Sequence, residues 1–150
     1  MKTIHITPTH KSERGQSLVE LAVVIVIMLI LLAGVIDLGR VVFEYMTMAD
    51  AAQEGAVYAS MYPVYCDQAV DRVYSNLSNP DRTEVSVTIN INGTECASAS
   101  ASDACAGNDV YVLVSQPNYE LVMPFIGAIL GRQSISLRAD VTSTILRPAC

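Results

Sequence analysis

The side chains with chemical potential in this chain are one glutamate beside a hydrocarbon-like run and four cysteines beyond it. Glu20 immediately precedes Leu21–Ile36, 16 apolar residues without a charge. An ionised carboxylate next to hydrocarbon is costly unless paired, which makes Glu20 a functional candidate; the plain alternative is a side chain solvated at headgroup depth. Cys66, Cys96, Cys105 and Cys150 all follow the apolar run. An even number of cysteines confined to an exported region points to disulfides in an oxidising compartment. Zinc is a weak alternative, because gaps of 29, 8 and 44 residues contain no CxxC and no histidine follows His10. His5 and His10 stand near the N-terminus, and GxSxG, HExxH, P-loop and GxGxxG patterns are missing. The remaining acids are scattered as on a solvated face. The residues thus predict neither an enzyme nor a cofactor or metal site.

The elements that must position these residues follow from charge and periodicity. Residues 1–15 carry Lys2, Lys11 and Arg14 against Glu13, a net of +2, and the remaining residues carry the balance of the overall −6, which is −8. An acidic body without lysine excludes nucleic-acid binding, which needs clustered cations. The overall 51% of hydrophobic residues conceals two environments, since much of it lies in the one run. That run is about 24 Å long as a helix against a hydrocarbon core of roughly 30 Å. Leu18 and Val19 on one side, with Leu38, Val41, Val42 and Phe43 on the other, complete a single span. The basic leader and the following Asp37, Glu44, Asp50 and Glu54 place the N-terminus in the cytoplasm and the bulk of the chain outside it. An ordinary signal peptide would be cut near Ala33-Gly34 instead, but the helical pattern runs on well past that point.

From Leu38 onward, Leu38, Val42, Tyr45, Ala49, Ala52, Ala56 and Ala59 recur at helical spacing, so the predicted helix continues from Gln16 to Tyr62, where Pro63 ends it. The alanines allow close approach of another element. Asp67 is expected to cap a second helix carrying Val70, Val73, Tyr74 and Leu77. Strict alternation predicts three strands: Val85, Val87, Ile89 and Ile91; Val110, Val112 and Val114; and Ile135, Leu137, Ala139 and Val141. Asn92-Gly93 and the Ser/Ala-rich excursion up to Cys105 read as an elaborated hairpin between the first two. A Cys96–Cys105 bridge fits that hairpin, leaving Cys66 with Cys150, although three connectivities are open. Asn76 and Asn92 stand in glycosylation-like triplets and are read as turn residues. The apolar stretch from Tyr119 to Leu130 is expected to cap the core; the other reading is an exposed patch for a neighbouring subunit or the membrane surface. The expected architecture is α+β: a leader at 1–15, a membrane-spanning extended helix at 16–62, and an extracytoplasmic head at 63–150 with a short helix and a three-stranded antiparallel sheet.

The stretch Arg14-Gly15-Gln16-Ser17-Leu18-Val19-Glu20, between a basic leader and a membrane helix, resembles the processing site of the type IV pilin-like superfamily. With Ile36-Asp37-Leu38-Gly39-Arg40, Tyr45 and Ala51-Ala52-Gln53-Glu54-Gly55-Ala56, the chain is similar to TadE-like proteins of tight-adherence pilus systems. Alternating Val110 to Val114 and Ser134-Ile135-Ser136-Leu137-Arg138-Ala139 extend the likeness. One departure is the unbroken Ala22-Val23-Val24-Ile25-Val26-Ile27, where many relatives carry a proline. The resemblance implies a pseudopilin or minor pilin cut by a prepilin peptidase between Gly15 and Gln16, with Glu20 as the fifth mature residue. Partners would be the peptidase, the lipid bilayer, and other pilin or pseudopilin subunits met through the N-terminal helix. Glu20 would there face the free α-amino group of a neighbour's Gln16. The major subunits of such systems are far shorter, so a chain with a head suits a tip, a priming complex or a rare filament component. The competing reading is an uncleaved single-pass anchor bearing an extracytoplasmic interaction domain.

Overall fold

The computed structural model describes residues 14–123, 127–128 and 131–147. Residues 1–13, Phe125, Ile126, Ile129, Leu130 and Cys150 lie outside them, so the expectations placed on those residues are not addressed by the fold. One helix, α1, runs unbroken over Arg14–Met61, 48 residues or about 72 Å. It begins two residues before the expected Gln16 and ends one residue before the expected Tyr62. A turn at Pro63 leads into α2, Cys66–Ser75. Four strands follow: β1 at Ser86–Ile91, β2 at Thr94–Glu95, β3 at Asp109–Glu120 and β4 at Ser134–Thr144.

All neighbouring strands are antiparallel, in the order β2-β1-β3-β4. Among the described residues the sheet has four strands rather than three. Asn92 and Gly93 both take positive φ (51° and 79°), the geometry of a two-residue hairpin turn, so the chain reverses at once and Thr94–Glu95 pairs with Ile91 and Asn90. Two residues are too few to show alternation, which is why this strand escapes a periodicity reading. β3 is interrupted by a register shift between Gln116 and Tyr119, and Pro117, which has no N–H to donate, falls there.

One face of the sheet covers the outer half of α1 and the flank of α2. The core joins Met48, Ala51, Ala52, Ala56 and Ala59 of α1 to Ala69, Val73 and Tyr74 of α2 and to Ile89, Ile91, Val110, Val112, Val114, Leu137 and Ala139 of the sheet. The alanine half of the expected stripe faces this core. Its first half does not: Leu38, Val42 and Tyr45 are exposed, and Asp37, Val41 and Met48 face inward instead. Gly55 sets the α1–α2 distance, because a Cβ there would stand 2.3 Å from Val73 Cγ2. Asp67 lies inside the first turn of α2, where its charge suits the helix dipole; the N-cap is Tyr65, without a side-chain cap bond.

The disulfide connectivity differs from the expected one. Cys66 is bonded to Cys96, with the Cα atoms 5.8 Å apart. The early reversal at Asn92-Gly93 carries Cys96 back along β1 to the start of α2. Cys105 is itself disulfide-bonded, and Cys66 is therefore not available to Cys150.

Candidate functional site

Gly15 and Gln16 occupy the first turn of α1, and Glu20 lies one turn further on the same face. Within the intact chain, Gln16 Nε2 donates to Glu20 Oε1 at 3.2 Å, and both side chains are exposed. Such a contact satisfies one lone pair of the carboxylate without neutralising it. No heavy atom stands within 4 Å of a Cβ built on Gly15, so no contact among the described residues requires a glycine there. The apolar face beyond Glu20 is equally unpartnered. None of the most apolar 18-residue stretch of the helix is buried against the rest of the chain, and this helix alone among the described residues is long and apolar enough to cross a membrane.

Exposed apolar side chains do not stop where the uncharged run does. Leu38, Val42, Phe43, Tyr45 and Met46 continue them for about two further turns, alongside the helix face that holds the head. The opposite side of this same stretch carries Asp37, a residue whose role the sequence reading missed. Asp37 is 5% exposed; its Oδ2 accepts a hydrogen bond from the backbone N–H of Met123, and its Oδ1 lies 3.6 Å from Arg40 Nη1. The segment after β3 is thus fastened to α1, with Met123 Sδ 3.4 Å from the Cβ position of Gly34. Its one signal in the sequence is an acid closing the apolar run, four residues before an inward-facing Val41.

The sequence of α1 is what relates this geometry to known proteins. Residues 15–57 match the TadE-like protein family. The TadE-like segment opens on Gly15 and covers α1 as far as Val57, so it contains Gly15, Gln16, Glu20 and Asp37 and leaves out α2 and the sheet. No curated protein and no solved structure matches the chain.

Away from the helix, two acids organise loops. Asp103 accepts hydrogen bonds from the Ser100 hydroxyl and backbone N–H and from the Asn92 amide, and these hold its carboxyl below its ordinary value of 3.8, the Ser100 hydroxyl contributing most. Asp81 is lowered in the same way by the backbone and side chain of Thr83. Among the described residues, no group of three or more His, Cys, Asp or Glu is placed to hold a metal.

Proposed function

We propose that this chain is a pseudopilin or minor pilin of a Tad-type adhesive pilus, cut by a prepilin peptidase between Gly15 and Gln16. The observation that carries the reading is that the TadE-like match begins at the glycine the peptidase would recognise. Gly15 has no packing reason to be glycine among the described residues, which suits recognition by another protein. The basic leader stays in the cytoplasm, α1 crosses the membrane, and the disulfide-linked head lies on the far side, where thiols are oxidised.

Cleavage creates an α-amino group at Gln16, one turn from Glu20. In a stack of such helices each Glu20 meets the amino group of a neighbouring Gln16, offsetting the cost of a charge near hydrocarbon. The apolar residues Leu38, Val42, Phe43, Tyr45 and Met46 extend the helix-to-helix contact beyond the uncharged run. The test is Glu20→Ala in the native host. Processing and membrane insertion are retained while incorporation into pili, read by immunoblot of sheared surface fractions, falls to background. Normal incorporation of Glu20→Ala would remove the assembly role.

A further inference from the structure

The β3–β4 connection reaches the helix at a depth where the bilayer should also be. The uncharged run of α1 ends at Ile36 and is about 24 Å long, so a hydrocarbon core of roughly 30 Å centred on it extends about two residues beyond each end, to Leu38. Met123 packs on Gly34 and donates its N–H to Asp37, inside that boundary. The direction of β3 makes this arrangement consistent. Leu146, just beyond β4, donates to the Ser60 carbonyl at the far end of α1. Asp109 of β3 pairs with Thr144 there, and β3 then descends the helix toward Arg40 and Asp37.

Irregular backbone at membrane depth requires that its polar groups be satisfied by protein. Gln133 meets it for Leu121 and for the Met123 carbonyl. Its Nε2 donates to the carbonyls of Leu121 (2.8 Å) and Met123 (3.0 Å), and the Leu121 N–H donates to the Gln133 carbonyl at 3.0 Å. The Met123 N–H goes to Asp37, whose carboxylate is 7% exposed and has Arg40 as counter-charge. Between these two fastened residues Val122 is 69% exposed, pointing an apolar side chain away from the protein.

We propose that the segment Leu121–Met123 is a second membrane-contacting element, seated in the leaflet on the head-domain side. Val122 lies at the boundary between headgroups and acyl chains, and Asp37 fastens the segment to α1. The occupant of this surface is lipid because the surface is continuous with the apolar span of α1. The proposal rests on α1 crossing the bilayer and is independent of cleavage or assembly. It fixes the height and tilt of the head relative to the membrane, since α1 and this segment are two separate points of contact.

The experiment uses the full, unprocessed chain in vesicles of phosphatidylethanolamine and phosphatidylglycerol. Val122→Cys is labelled under oxidising conditions with an environment-sensitive fluorophore; the wild-type chain, carried through the same labelling, sets the background. Val64→Cys, an exposed position at the far end of α1, serves as the aqueous reference. The expected result is blue-shifted emission at Val122, quenched at least twofold by lipids with a nitroxide high on the acyl chain, and no quenching at Val64. On the Val122→Cys background, Asp37→Leu is expected to lose most of that quenching. A Val122 label as water-exposed as the Val64 label would overturn the proposal, as would shielding that disappears on dilution into excess lipid, which would assign the surface to a second copy. Quenching unchanged by Asp37→Leu would overturn the fastening role of Asp37.

Discussion

Replacing Gly55 by alanine tests the packing of the head on its helix, because two opposing effects of known size meet at one atom. In a helix interior, Gly→Ala alone stabilises by about 0.8–1 kcal/mol. At Gly55 the new methyl would stand 2.3 Å from Val73 Cγ2, so the two groups must separate by at least 1.1 Å, the difference from the 3.4 Å at which ordinary contact begins. Val73 is fully buried, its branched side chain is stiff, and α2 is anchored at its first residue by the Cys66–Cys96 bond. Overpacking of this kind costs about 1–3 kcal/mol, leaving a net loss of about 1 kcal/mol. For a head of this size that is a fall of about 4–8 °C in melting temperature, read from the tyrosine near-UV signal of the oxidised full chain in detergent micelles. The same substitution at Gly39, where nothing stands within 4 Å, supplies the opposite sign: an unchanged or higher melting temperature. In the double variant Gly55→Ala/Val73→Ala, the alanine methyl fills space that Val73 vacates, so the loss is smaller than the two single losses combined. A rise in melting temperature at Gly55→Ala equal to that at Gly39→Ala would refute the close α1–α2 approach.

Three further outcomes concern the loops and the cysteines. Cleavage on the amino side of aspartate separates all four cysteines into different peptides. Without reduction, mass spectrometry is expected to find 50–66 joined to 81–102, and a product joining 81–102 to 103–108 would contradict the fold. Removing the bond with Cys66→Ala/Cys96→Ala should lower head stability by about 3 kcal/mol, measured by denaturant titration. Because the folded-state carboxyl of Asp103 is held below its unfolded value, its contribution to stability is present above the unfolded pKa and lost as pH falls through the folded one. Asp103→Asn is therefore expected to flatten the acid limb of the stability profile below about pH 4. An unaltered acid limb would show that the Ser100 and Asn92 bonds to Asp103 do not contribute.

The long helix, α2 and three strands are legible in the sequence because each is long enough to display its period: Val110, Val112 and Val114 on β3, or Ala49 to Ala59 on α1. What is not legible arises where a single local choice redirects the chain. The two positive φ angles at Asn92 and Gly93 turn the backbone immediately, and that one reversal accounts both for the short fourth strand and for Cys96 meeting Cys66. The inward face of α1 just beyond the apolar run is hidden for a related reason. Apolar periodicity selects Leu38, Val42 and Tyr45, whereas the face that meets the head is held by a carboxylate, Asp37, which a search for hydrophobic residues passes over. The junction at Gly15, by contrast, is legible in sequence and not in packing, since its glycine and glutamate answer to no contact within the described head.

The central claim is that Gly15–Gln16 is a scissile bond, and the mature N-terminus measures it directly. Mass spectrometry of the protein purified from its native membrane, with and without the prepilin peptidase, is expected to find Gln16 first in the presence of the enzyme and Met1 in its absence. An intact Met1 in the presence of active peptidase, or a start near Gly34, would contradict it.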